Sequence, residues 1–181
     1  RGEVEAALRR FVDWHHRADA RRVLATEQRL TAEVTLPDGQ LVRLHGYADR
    51  LELDEDGDVV VVDLKTSKYP PTDKDLGANP QLGLYQLAVD RGAVDDLLER
   101  PGRSGGAELV QLRKDSRGSV KVQKQPPQPR NDEGHTEVEG QLMQAVSVIR
   151  SEAIDATPGK HCEHCRFVAI CPVKGAGTVL S

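Results

Sequence analysis

Asp49 and the run Asp63-Leu64-Lys65 are the residues of this chain whose types and spacing could do chemistry. Between them lies Asp56-Gly57, a dipeptide that closes tight hairpins and makes the flanking strands antiparallel neighbours. Asp49 stands seven residues before Asp56 and Asp63 six after Gly57, so the two acids face each other across the ladder. Carboxylates that close repel unless a cation lies between them. Oxygen ligands of this kind suit Mg2+ or Mn2+, with water and a phosphate in the remaining positions. Side chains alternate along a strand, so Asp63 and Lys65 share a face. A metal, an activated water and a positioned ammonium are the parts that phosphodiester hydrolysis requires. Alone, an Asp-x-Lys triplet is more often a pair of surface charges. Here it follows an apolar run at 59–62, typical of a buried strand, and a second acid stands opposite.

The pattern around these residues predicts the elements that hold them. Val4, Leu8, Phe11 and Val12 recur at helical spacing over 2–20, with Trp14 nearby and charges on the other face. Strands are expected at 22–36 and 40–54, separated by the turn Pro37-Asp38-Gly39, and at 59–64. A loop with Tyr69-Pro70-Pro71 leads to a helix starting at Asn79-Pro80 and running to about Arg91. Gln81 and Tyr85 are four apart and share one face of it. Residues 101–106 read as a Gly-rich loop and 107–113 as a strand. Residues 114–135 read as polar loop with at most one weak strand at 119–123. Lys114, Arg117, Lys121, Lys124 and Arg130 bias this loop positive, which ordinarily marks a solvated segment. A helix is expected at 136–154. The order predicts an α/β or α+β fold, a mixed sheet with helices packed on it.

Composition narrows the partners. The chain has 181 residues and a formal net charge of -4, so no global basic field advertises a nucleic acid; a local site in which metal ions carry the positive charge remains open. Its core must rest on Val, Leu and Ala, because aromatic residues are only 3%. No signal peptide and no membrane-spanning apolar run is present, which predicts a soluble, cytoplasmic protein with no membrane partner. Arg1 opens inside a helical pattern, as in a piece cut from a longer polypeptide. Cys162, Cys165 and Cys171 are clustered, which in a cytosolic protein suggests metal or cluster ligation rather than disulfides. Thiolates favour an iron–sulfur cluster or Zn2+, both wanting four ligands. His161 or His164 could complete a zinc site, and three free thiols are the remaining alternative.

Gly46-Tyr47-Ala48-Asp49-Arg50, Val61-Val62-Asp63-Leu64-Lys65-Thr66 and Gln81-Leu82-Gly83-Leu84-Tyr85 together resemble the PD-(D/E)XK nuclease superfamily. The resemblance is to the RecB-like C-terminal nuclease domains of bacterial helicase–nucleases of the AddB and AdnB type. It implies a restriction-endonuclease-like core over 1–160, with a three-strand antiparallel meander plus a further strand, and a Cys-rich clip at 161–181. It implies Asp49, Asp63 and the Leu64 carbonyl as ligands of Mg2+ or Mn2+, and Lys65 as the catalytic lysine. It also implies Gln81 and Tyr85 at the site, and offers Glu27 as a further acid, for which an exposed strand glutamate is the equal alternative. His15 and His16 do not match the family's histidine motif and read as polar helix residues. A [4Fe-4S] cluster on Cys162, Cys165 and Cys171 would need a fourth cysteine that this chain lacks. The implied activity is exonucleolytic DNA hydrolysis in recombinational repair, on single-stranded ends, beside a helicase domain of the same polypeptide and a second helicase–nuclease subunit. Two other readings are a catalytically silent nuclease-like module for DNA binding, and a Cys-based zinc-binding interaction module. The complete acid–acid–lysine set argues against the first, and the second accounts for the tail alone.

Overall fold

Five strands form one mixed sheet in the order β1-β2-β3-β4-β5. The computed structural model describes residues 2–17, 19–116, 119–151, 156–171 and 173, without the side chains of 114 and 115. Helix α1 (Gly2–His15) leads into β1 (Arg22–Thr35), β2 (Leu41–Leu53) and β3 (Val59–Lys65). These three strands are the expected antiparallel meander. Gly57, at φ 75°, supplies the left-handed residue that the β2–β3 turn requires, and Asp54 Oδ1 accepts from the Asp56 and Asp58 amides.

The chain then crosses over through α2 (Asp73–Leu76) and α3 (Pro80–Asp90) to β4 (Ser104–Ser116), which runs parallel to β3. A parallel neighbour needs such a crossover, because a tight turn can join only antiparallel strands. Strand β5 (Ser119–Gln125) returns antiparallel to β4, and α4 (Glu137–Arg150) follows. Glu139 Oε2 caps its start, accepting from the Thr136 amide and hydroxyl at 2.7 and 3.0 Å. The chain forms two compact units, residues 1–143 and 144–181. The second contains the end of α4 and two short 3-10 turns, Lys160–His164 and Val168–Ile170. The expected end of the last helix at 154, Arg117, and the tail beyond Val173 lie outside the described residues.

Alternation sorts β3 onto two faces. Val59 and Val61 pack with Leu51, Leu82, Val89 and Leu109 on the α3 side. Val60 and Val62 pack with Trp14, Val110 and Val120 on the α1 side. The run is apolar throughout because both faces are covered.

Three expectations need correction. The α1 face seen in the pattern is not the buried one: Val4, Leu8 and Val12 are 65, 59 and 51% exposed, while Ala7 and Trp14 are buried. Trp14 decides the orientation, since its large ring fills the space above the sheet and brings Phe11 with it. Second, residues 104–106 belong to β4; the backbone bulges there and Gly106 is at φ 109°, where an added Cβ would meet Gln125 O at 2.7 Å. Third, the 114–135 segment contributes a full strand with buried glutamines. Gln125 Nε2 donates to Leu76 O and Gly77 O at 2.8 and 2.9 Å, and Gln123 Nε2 to Pro71 O at 2.9 Å. These residues look solvent-facing in sequence because they are polar. They are buried because the loop carbonyls above them need donors.

Trp14→Ala is therefore expected to lower unfolding stability by about 3–5 kcal/mol. Leu8→Gln should cost under about 0.5 kcal/mol. Urea denaturation followed by circular dichroism measures both; equal losses would mean that α1 packs by its other face.

Candidate metal and phosphodiester site

The β2–β3 ladder runs from Leu53↔Val59 to Arg50↔Val62 and stops one position short of Asp49 and Asp63. There the strands part, and Asp49 Oδ2 accepts from the Leu64 amide at 2.7 Å. The side chain thus takes over a hydrogen bond that the backbone relinquishes, which fixes both acids at the point of divergence. Leu64 meets Asp49 through its N–H.

Asp63 is 3% exposed. Its Oδ1 accepts from Gln81 Nε2 at 3.1 Å and from the Tyr85 hydroxyl at 3.3 Å. Gln81 Nε2 also donates to Tyr85 Oη at 3.1 Å, and Gln81 Oε1 accepts from Lys65 Nζ at 3.1 Å. Both amide hydrogens of Gln81 are therefore used, one on Asp63 and one on Tyr85. Asn79 makes this possible: its Oδ1 caps the Leu82 amide at 3.2 Å, Pro80 takes the first helical position, and Gln81 is thrown onto the first turn facing the strand.

Asp63 Oδ2 is different. Lys65 Nζ lies 2.6 Å from it, but off hydrogen-bond direction, so this buried oxygen has an ion pair and no aligned donor. Burial raises the Asp63 pKa above the ordinary carboxylate range, and the negative charge of Asp49 adds to the rise. The adjacent ammonium of Lys65 and the Tyr85 hydroxyl oppose it without cancelling it. Burial also raises the Tyr85 pKa, with Asp63 and Asp49 adding and Gln81 opposing, so Tyr85 keeps its proton and donates. A buried carboxylate oxygen without a donor, beside a second carboxylate, is the electrostatic deficit that a divalent cation relieves.

Asp49, Asp63, Lys65, Gln81 and Tyr85 thus come together as the spacing predicts. Glu27 does not join them. It falls opposite Asp49 in register, between Thr26↔Arg50 and Gln28↔Ala48, but is exposed, left-handed at φ 49°, and without a side-chain hydrogen bond or ion pair among the described residues. A positive φ in a non-glycine strand residue is uncommon, and here it turns Glu27 out of the regular alternation. Among the described residues no three His, Cys, Asp or Glu side chains gather as a metal site. Cys162, Cys165 and Cys171 are half-buried free thiols, so the expectation of an iron–sulfur or zinc site finds no support in their placement.

Two features escape sequence reasoning. Gln111 is the register partner of Lys65 on β4 and is fully buried; its Nε2 donates to Gln123 Oε1 at 3.1 Å. It ties the strand beside Lys65 to the loop that Gln123 holds. On the opposite sheet face, Arg21 bridges Glu52 and Glu108 at 2.9 and 2.8 Å, and Arg50 pairs with Glu52 at 2.7 Å. His15 stacks on Phe11, and its Nδ1 accepts from Arg50 Nη1 at 3.1 Å, so His15 serves this network. The only signal for either feature was a polar residue at an inward position of a strand.

The family model of the PD-(D/E)XK nuclease superfamily matches residues 1–172, and the chain belongs to that superfamily. A solved structure titled crystal structure of SSO0001 shares the α+β restriction-endonuclease-like fold, with a TM-score of 0.50 over 96% of this chain and 69% of that one, at 17% identity. No curated protein matches the chain. No helix among the described residues is long and apolar enough to cross a membrane.

The raised pKa of Asp63 has a definite sign. With the folded-state value above the unfolded one, protonated Asp63 favours the fold at acid pH, and that advantage is lost as the pH rises through the folded-state value. At neutral pH the ionised group is a cost that a bound cation removes. Millimolar Mg2+ or Mn2+ is expected to raise Tm at pH 7 and to lose this effect on acidification before ordinary carboxylates protonate. Asp63→Asn should abolish the increment; an unchanged Tm in wild-type protein would remove the cation from this site.

Proposed function

We propose that this chain is the catalytic domain of a divalent-metal-dependent deoxyribonuclease. The observation that carries this reading is the Asp49–Asp63 pair at the splayed end of β2 and β3, with Lys65 held beside it by Gln81. Asp49 and Asp63 would hold Mg2+ or Mn2+, with the Leu64 carbonyl as a further ligand. The ion supplies an acidified water and charge neutralisation at the phosphate.

The chain's own groups do the rest. Tyr85 and Gln81 donate to Oδ1 of Asp63, which pins the carboxylate and leaves Oδ2 for the cation. Lys65 Nζ, tethered to Gln81 Oε1, keeps further N–H groups for a phosphate oxygen or the attacking water. The ammonium can thus stabilise charge that develops during in-line attack without having to reorganise.

The sequence resemblance supports placing the domain in a helicase–nuclease that resects single-stranded ends in recombinational repair, with an exonucleolytic mode. A silent nuclease-like module is the weaker reading, because the hydrogen bonds around Asp63 are complete except at Oδ2, where a cation would find its ligand. The cysteines are left without a role in the mechanism.

Asp63→Ala and Lys65→Ala are each expected to lower Mg2+- or Mn2+-dependent cleavage of a labelled oligonucleotide at least about a hundredfold. Glu27→Ala should cause a smaller loss. If the first two variants of the full-length protein cut like wild type, the nuclease assignment is wrong.

A further inference from the structure

A groove of about 610 Å3 lies outside the acid site. It runs between the start of α1, the end of β4 and the segment after β3. Arg10, Lys68 and Arg113 line it together with Glu3, which pairs with Arg113. Arg10 Nη1 donates to Leu112 O at 3.1 Å, which orients its guanidinium along the groove wall. Lys68 has no acidic partner among the described residues. In a chain with net charge -4, this is a local concentration of positive charge.

Tyr69 stands in the same groove and is 88% exposed. Its backbone is restrained: Pro70 and Pro71 follow, and the Pro71 carbonyl is held by Gln123 Nε2 at 2.9 Å. A flat aromatic ring presented to solvent from a fixed backbone loses little entropy when it takes a partner. The groove lies on the α1 side of the sheet, at the end of β3 that carries Asp63 and Lys65. Lys68 is three residues beyond Lys65, a reach of at most about 10 Å. Arg113 lies two residues beyond Gln111, the register partner of Lys65. Ligands of open sheets with parallel strands collect outside the carboxyl ends of those strands.

We propose that this groove is the track for a single-stranded DNA segment, with Tyr69 as the stacking platform for one base and Lys68, Arg10 and Arg113 set against its phosphates. The proposal rests on the nuclease reading for its choice of single-stranded DNA, and adds the groove and the residues that hold the strand outside the acid site. A single strand fits because stacking on Tyr69 needs a base with a free face, which duplex interiors do not offer. Cations tracking the backbone add affinity that falls with salt.

The test is fluorescence anisotropy of a labelled oligothymidylate with the full protein in EDTA, where binding is read without cleavage. Tyr69→Ala should weaken binding about tenfold, and Tyr69→Trp should restore it, with quenching of the new indole on titration. Lys68→Ala should reduce the slope of log affinity against log salt by about 0.7. A blunt duplex of equal length should bind with no dependence on Tyr69. Wild-type affinity in Tyr69→Ala, or an equal loss for duplex and single strand, overturns the proposal. These outcomes are independent of Asp63 and Lys65: if their variants cut normally while Tyr69 still governs strand binding, the nuclease reading fails and the groove stands.

Discussion

A carboxylate buried at the end of a sheet has to be neutralised, and most of the site follows from that one constraint at Asp63. Its burial raises the energy of the ionised form, and Asp49 nearby raises it further. Gln81 and Tyr85 answer at one oxygen, and Lys65 answers the other by charge alone. The arrangement leaves Asp63 Oδ2 without a hydrogen-bond donor. A site fully satisfied by its own side chains would gain nothing from a cation.

The rest of the fold serves to hold Lys65 and Gln81 at fixed separation although they stand 16 positions apart in sequence. The connecting segment has only one short helical turn of its own, α2. Its carbonyls are received by Gln123 and Gln125 of β5, a strand remote in sequence. Asn79 then starts α3 at the right rotation. On the other face the Arg21–Glu52–Arg50–Glu108 cluster is buried behind the same strands. Burying an ion network is seldom a net gain over apolar packing, but removing one member leaves a bare charge, so the cluster fixes the strands against slippage.

The acid–acid–lysine set was legible in the sequence because strand alternation and one hairpin turn determine it. Each rule acts over a few residues, and none depends on distant packing. The helix carrying Gln81 and Tyr85 was legible for the same reason, through Asn79-Pro80 and a spacing of four. The meander, the crossover helix and the last helix were read from the same local signals.

Tertiary packing decided the rest. Which face of α1 turns inward depended on where Trp14 could be accommodated, and Val4, Leu8 and Val12 were left outside. The strand at 119–125 depended on unpaired carbonyls some 50 residues away, which no local pattern records. Glu27 had the right register but the wrong backbone, turned out at φ 49°. Sequence alone fixed which groups can meet across one turn or along one helix, because covalent spacing sets those distances. The fold alone decided which oxygen of Asp63 stays open and which polar side chains are buried, because those depend on what the distant chain brings against them.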